Sequence, residues 1–428
     1  MLWVVGGQAV TALGTLIGVR ILTQFLPPAA YGVVSLALGI STLVVALVAA
    51  PLTQAAMHYY PAVAATGSVR TLLTSLLRCF LRMAPWIGIA AVLAAGAYLK
   101  WGDGSAIVAL ILLVLLASDS WRSANLSLLN AARVHWRYGM WQALDAWGRP
   151  LLGAAAVLTI GPSPEAVLGA YACVSAFLVF IFAGRVWRDE SHAPSVDSSA
   201  HGSIALDARL WSYALPLVPL GIIGWASNLG DRYIIGGLLG VASAGMYAAV
   251  YGLAGAPFML VNGTLEQGLR PLYQAAVSRG DHHRANTILK MWVSAAVGIC
   301  TAGVILFVLC HEWIASLFVG KAYRDASVLM PWISVGYGIR AVSYVFERVC
   351  YAYGKTRRAL LTQLYAVLAA AAITPAGVIA LGLKGAAMAV PVYFSVQLAV
   401  AVFFARRTLG EVGQAHGNLD IVAATSSA

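Results

Sequence analysis

The chain has 428 residues, of which 61% are hydrophobic and only 10% are charged, and it carries a net charge of +11. A soluble domain is roughly 45–50% apolar and about 25% charged, so this composition cannot build a water-facing surface and a membrane-embedded chain is expected. The basic excess lies beside apolar spans, where it reads as a topology signal and an attraction to anionic lipid, not as a nucleic-acid footprint.

A bilayer crossing takes roughly 20 predominantly apolar residues. Stretches of that kind cover residues 3–24, 31–57, 72–99, 106–129, 140–160 and 164–187. They resume over 210–230, 241–269, 285–310, 326–351, 360–381 and 385–405. The expected fold is therefore an all-α polytopic membrane protein with about twelve transmembrane helices. The first span lacks a basic leader and a small-residue cleavage site, so it reads as a helix and not as a signal peptide.

Basic residues mark every second connection. One set holds Arg70, then Arg133 and Arg137, then Arg185, Arg188 and Arg209, then Arg279, Arg284 and Lys290, then Lys355, Arg357 and Arg358, and last Arg406 and Arg407. The other set offers Lys100, Lys321, Arg324 and Lys384. The positive-inside rule then places both termini in the cytoplasm. The polar stretch 189–207 is the clear linker. It predicts an N-terminal six-helix bundle over 1–190, a cytoplasmic linker over 191–207, a C-terminal six-helix bundle over 208–408 and a cytoplasmic tail over 409–428.

The halves look related. A shift of 213 aligns Leu26 with Leu239, Gly32 with Gly245, Gly39 with Gly252, Tyr60 with Tyr273 and Gly67 with Gly280. A shift of 221 then aligns Arg137 with Arg358 and Gln142 with Gln363. Repeats of the same orientation predict a pseudo-twofold axis along the membrane normal, with a central cavity between the bundles. Pro51, Pro85, Pro216, Pro219, Pro257, Pro375 and Pro391 fall inside predicted helices, as kinks or as hinges. Gly14–Gly18 and Gly236–Gly240 have small-residue packing spacing.

Ionisable groups inside apolar helices cost roughly 2.5–3.5 kcal/mol at the bilayer centre, so they face protein or a wet cavity. Asp119, Arg122, Asp145, Arg149 and Arg340 are such groups. Asp119–Arg122, Asp145–Arg149 and Glu266–Arg270 are spaced three or four apart and can neutralise each other on one helix face; cavity lining is the other reading. Asp231–Arg232 and Glu347–Arg348 are adjacent, point apart and need other partners. Arg20 and Arg340 have no local acid; Arg20 lies near a membrane boundary, whereas Arg340 is too deep to snorkel easily. The polar set Ser118, Asp119, Arg122, Ser123, Asn125, Ser127 and Asn130 marks the fourth helix as path-lining. The five cysteines show no metal or disulfide spacing. Gly354-Lys355-Thr356 lacks the upstream glycine of a phosphate-binding loop, and His311-Glu312 has no second histidine, so neither motif carries chemistry. No cofactor is expected, beyond a proton or sodium ion if transport is coupled.

The chain resembles the bacterial polysaccharide-unit flippases (Wzx-type) of the multidrug/oligosaccharidyl-lipid/polysaccharide exporter superfamily. The resemblance is carried by Gly7-Gln8, by Arg20-Ile21-Leu22-Thr23-Gln24-Phe25-Leu26-Pro27 and by Tyr31-Gly32. In the second half it is carried by Asp231-Arg232-Tyr233-Ile234-Ile235-Gly236, Ala244-Gly245-Met246-Tyr247, Gly320-Lys321-Ala322-Tyr323 and Tyr353-Gly354-Lys355-Thr356. It implies two six-helix bundles around an alternately opening cavity, and an undecaprenyl-diphosphate-linked oligosaccharide as cargo for surface polysaccharide. It implies that Arg340, Arg122, Arg149, Arg20 and Arg232 meet the diphosphate. Asp119, Asp145, Asn125, Asp231, Glu266 and Glu347 are then the polar or gating positions. Lipid-linked oligosaccharide and membrane lipids are the implied partners, with polysaccharide polymerase and chain-length proteins beside them, and the chain is expected to be a monomer. The two further helices of the lipid II branch are not expected here. Two other readings remain: an ion-coupled exporter of organic cations, which wants unpaired lumen acids, and a membrane-embedded glycan polymerase or ligase, which wants an outer loop larger than the longest one expected, 311–325.

Overall fold

In the computed structural model the described backbone covers residues 2–65, 69–101, 107–191 and 200–426. Among these residues every regular element is a helix. α1 spans Leu2–Phe25; α2 (Pro28–Val44) passes through a π-helical turn, Val45–Ala49, into α3 (Ala50–Ala65). Then come α4 (Val69–Trp101), α5 (Ile107–Ala131), α6 (His135–Ile160) and α7 (Pro164–Ser191). α8 (Ala200–Ala214) runs through a 3-10 turn, Leu215–Leu217, into α9 (Val218–Leu239). α10 (Val241–Ser278), α11 (His282–Phe318), α12 (Met330–Ala352) and α13 (Thr356–Ser426) complete the chain. α13 is two helices broken at Gly382, where φ is 60° and ψ −140°. Counted as continuous rods, the described residues form twelve helices, as the apolar pattern predicts.

Among the described residues eight helices, with α13 counted as one, are long and apolar enough to cross a bilayer by composition alone. α6 and α12 are not among them. These two carry Asp145 with Arg149, and Arg340 with Glu347 and Arg348. They depend on protein neighbours to sit at membrane depth. The outward surface is apolar instead: Ile160, Phe180, Leu309 and Ile379 are each at least 75% exposed. Such residues are costly in water and at ease in lipid.

Contacts divide the chain into two units, Met1–Ala249 with Ser316–Arg324, and Val250–Ala315 with Asp325–Ala428. In the first, Leu52, Ala55 and Ala56 of α3 pack with Leu72 and Leu76 of α4 and Leu115 and Leu116 of α5. In the second, Trp292, Val345, Val349 and Ala405 lie in one core cluster. Of the expected linker, residues 192–199 lie outside the described residues, and α8 already occupies 200–207. The stretch expected as an outer loop, 311–325, is mostly helical: α11 bends at Cys310 (φ −121°, ψ 15°), continues to Phe318, and a 3-10 turn follows over Lys321–Leu329. The polar residues there (His311, Glu312, Lys321, Arg324) disguise a helix end as a loop.

Lipid tails give helices no hydrophobic reason to associate, so close backbone approach through small residues matters more. A Cβ at Gly14 would lie 2.8 Å from the Trp147 ring, and one at Gly18 would lie 2.8 Å from Pro150, which holds α1 on α6. Gly236 packs near Leu36, but Gly240 is needed for another reason, a φ of +85° at the α9–α10 turn. Pro51 follows the π-helical turn, where its missing N–H leaves a carbonyl one turn back without a helical donor. Pro216 sits in the 3-10 turn between α8 and α9.

The repeat is visible in backbone detail. A Cβ at Gly32 would stand 1.9 Å from the Val241 carbonyl oxygen, and one at Gly245 would stand 2.1 Å from the Pro28 carbonyl oxygen. Pro28 and Val241 are themselves related by the shift of 213, so the contact is reciprocal, as a local twofold requires. The turn after α5 is closed by Arg133 N–H donating to Asn130 O at 3.1 Å and Val134 N–H donating to Leu129 O at 2.9 Å. The turn after α12 repeats this 221 residues later, with Gly354 N–H to Tyr351 O at 3.1 Å and Lys355 N–H to Cys350 O at 2.8 Å. Both are Schellman turns with a left-handed residue at the stop. Arg133 fills that position at φ 60° where the second half uses Gly354.

Candidate functional site

The first unit contains a cavity of about 420 Å³ lined by α1, α2, α5, α6, α7 and α9. Thr11, Thr15, Ser35 and Thr42 supply hydroxyls to its wall, and Gln142 an amide. Arg122, Arg149 and Arg232 line it together with one carboxylate, that of Asp145. Three of the five arginines proposed from sequence therefore share one space.

Behind that wall lies a four-membered charge network. Asp119 of α5 is 4% exposed and takes hydrogen bonds from Ser41 Oγ at 2.8 Å and Ser175 Oγ at 3.0 Å. Arg149 Nη2 donates to the same carboxylate and reaches Ser175 Oγ at 3.1 Å. Arg149 Nε donates to Asp145 Oδ1 at 2.8 Å, one helical turn away. Its guanidinium also lies over the Tyr171 ring at 5.7 Å. Arg122 is held more loosely, 3.6 Å from Asp119 and 3.5 Å from Asp145. The pairs expected along single helices thus form, but each cation also crosses to the other helix. Buried carboxylates need such double support, because one ion pair rarely offsets the desolvation of both groups.

The difference between the two cations is instructive. Arg149 is satisfied on both sides, whereas Arg122 Nε has no hydrogen-bond acceptor among the described residues and its side chain is 20% exposed. Its Nε is buried toward Asp119, so it is the exposed fifth of the Arg122 side chain, on the cavity wall, that a ligand there would meet. Across from it, Arg232 Nη1 donates to Ser35 Oγ at 3.3 Å. Asp231 turns away from the cavity, accepting from Tyr247 Oη at 2.7 Å and from the Arg232 N–H at 2.8 Å.

The remaining sequence candidates lie elsewhere. Arg20 donates to the Val319 carbonyl at the end of α11, beside Gly320 N–H donating to Thr23 Oγ1 at 2.9 Å. Tyr323 Oη donates to Leu26 O at 2.9 Å in the same lacing, and burial pushes its phenol well above the ordinary value. A cation at a helix C-terminus answers the carbonyls left open there. Of the α5 polar set, Arg122 alone lines the cavity. Asn125 is 1% exposed and donates from Nδ2 to Trp121 O at 2.8 Å.

In the second unit Arg340 is 3% exposed, donates from Nε to Tyr344 Oη at 3.0 Å, and lies 5.0–5.8 Å from the Phe394, Tyr344 and Tyr337 ring centres. Glu347, 1% exposed, accepts from Gln397 at 2.8 Å and Gln363 at 3.2 Å. Glu266 bridges Arg270 at 3.1 Å and Arg348 at 2.9 Å.

Sequence reasoning passed over Ser41, Ser175 and Tyr171, since small hydroxyls and tyrosines are common in apolar spans. It also passed over Asp207, which lies in the stretch expected as linker. That carboxylate is 4% exposed and pairs with Arg78 at 3.0 Å and Arg82 at 3.4 Å, tying α8 to α4.

Comparison with known proteins follows the same line. Residues 1–272 match the family model described as polysaccharide biosynthesis protein. A search of curated protein sequences finds no match. Among solved structures, an inward-facing multidrug resistance MATE family transporter of the MOP superfamily is similar at a TM-score of 0.73 and 14% identity, covering 94% of this chain and 96% of that one. Lipid II flippase MurJ in an inward closed conformation gives 0.68 and 12%, covering 94% and 86%. A MOP superfamily transporter from Pyrococcus furiosus gives 0.58 and 14%, covering 96% and 94%. At these identities the likeness speaks to fold, while the match over more than half the chain speaks to family. With that match, the chain belongs to the polysaccharide biosynthesis protein family, and its helices have the fold of the MOP superfamily transporters.

Proposed function

We propose that this protein is a flippase that carries an undecaprenyl-diphosphate-linked oligosaccharide from the cytoplasmic to the periplasmic leaflet of the inner membrane, for surface polysaccharide assembly. The observation that carries the reading is the cavity wall, where Arg122, Arg149 and Arg232 outnumber the single lining carboxylate. Guanidinium groups remain charged in a low-dielectric space and grip phosphate oxygens through paired hydrogen bonds. Thr11, Thr15 and Thr42, whose hydroxyl hydrogens go to helix carbonyls, leave oxygens that can accept from sugar hydroxyls, the Ser35 hydroxyl and the Gln142 amide add further polar groups, and the polyprenyl tail stays in lipid. Alternating access of the two bundles would move the polar head. Arg340, in the second unit, is a further candidate for diphosphate contact.

The family match supports the cargo class. MurJ, described as a lipid II flippase, shares the fold. A second reading, export of organic cations, has its own support in the two network aspartates and in the likeness to a multidrug resistance transporter. The first is favoured because both aspartates already face arginines. The transporter from Pyrococcus furiosus is itself described by a reverse polarity of its binding pocket. A deletion strain decides between them. Lipid-linked oligosaccharide should accumulate and drug sensitivity should stay unchanged, and plasmid-borne Arg122→Ala should fail to restore polysaccharide at normal membrane abundance. Drug sensitisation without such accumulation would overturn the reading.

A further inference from the structure

The cavity holds its own anion. Asp145 lines the wall and presents one carboxylate oxygen to each of two guanidiniums, Oδ1 to Arg149 Nε at 2.8 Å and Oδ2 to Arg122 Nη1 at 3.5 Å. Asp119 faces the same cations but is placed differently. Two serine hydroxyls hold it, it is 4% exposed, and it lies outside the cavity lining. One carboxylate is thus a fixed counter-ion and the other stands where a ligand would stand. The Asp145 side chain retains 12% exposure, and among the described residues the two arginines are what hold it.

Resting on the diphosphate reading, we propose that Asp145 is a resident surrogate for the cargo's phosphate and sets the affinity of the site by competing with it. Phosphate oxygens take the place of the Asp145 carboxylate on Arg122, and that carboxylate turns into the cavity. The binding step is an exchange of one anion for another, so the arginines are never left without a partner. Leaving a buried charge unpaired is strongly unfavourable, which is why exchange lets the cargo leave as well as enter. Two arginines and two aspartates make the unloaded network neutral. Asp145→Asn keeps the shape of the side chain and leaves that network at +1.

The test uses the full chain in detergent, with inorganic pyrophosphate as the probe and calorimetric titration as the readout. Wild type should bind, and Asp145→Asn should bind at least about tenfold more tightly. In the wild type, labelling of Asp145 by a carbodiimide and an amine, read by mass spectrometry, should rise when pyrophosphate is added; this arm stands even if the variant does not fold. Wild-type binding with no tightening in the variant, or with unchanged labelling, overturns the surrogate role and leaves the diphosphate reading intact. No binding by either protein overturns the diphosphate reading itself, and the surrogate role with it.

Discussion

Replacing Arg149 by Ala should destabilise the first unit far more than a surface change would. The side chain is 12% exposed and donates to Asp119, Asp145 and Ser175, so its removal leaves two carboxylates facing Arg122 alone. Breaking a buried ion pair by deleting one partner costs about 3–5 kcal/mol. The cavity admits water to Asp145 but not to Asp119, which is 4% exposed, so most of the loss is assigned to Asp119. Removing both members should be milder: Arg149→Met with Asp119→Asn should recover at least about 1 kcal/mol relative to the sum of the two single changes. Reversible unfolding in mixed micelles, followed by tryptophan fluorescence across a detergent titration, measures Arg149→Ala and the four proteins of the Arg149→Met, Asp119→Asn cycle. Additive losses, or an Arg149→Ala loss below about 0.5 kcal/mol, would refute the network as a coupled unit.

Gly32→Ala and Gly245→Ala should each prevent stable folding or lower the unfolding midpoint sharply, since the new methyl meets a carbonyl oxygen at 1.9 Å or 2.1 Å. Gly237→Ala, with nothing within 4 Å, should be neutral or raise stability by about 0.5–1 kcal/mol through helix propensity; equal behaviour of the three variants in a thermal melt would contradict the close twofold contact. Arg133→Gly should relieve a left-handed residue at φ 60° and stabilise the turn by up to about 1–2 kcal/mol, measured by the same melt. A lower midpoint would show that the Arg133 side chain matters more than its backbone.

The helices were legible because a twenty-residue apolar run has few other readings. Their repeat was legible because glycines and turn residues keep their spacing where backbones touch, as Gly32 and Gly245 do. The continuation of α11 beyond Cys310 was not, since His311 and Glu312 carry the polarity of a loop while the backbone stays helical. Asp207 was hidden for a similar reason: a polar neighbourhood read as linker, whereas two arginines of α4 draw the carboxylate into the bundle. Spacing along one helix announced Asp119–Arg122 and Asp145–Arg149. It could not announce that the pairs interlock, because the meeting of α5 with α6 is a tertiary fact. Depth likewise singled out Arg340, but it could not announce the Phe394, Tyr344 and Tyr337 rings that lie against the guanidinium, since those come from tertiary packing and from its own helix face.

The most direct measurement is transbilayer movement of a fluorescent polyprenyl-diphosphate oligosaccharide in liposomes reconstituted with the purified chain, read as the fraction protected from an external quencher. The account predicts that wild type moves the lipid, that Arg122→Ala does not, and that an organic cation is left behind. Movement at the same rate without Arg122, or transport of the cation in place of the lipid, would contradict it.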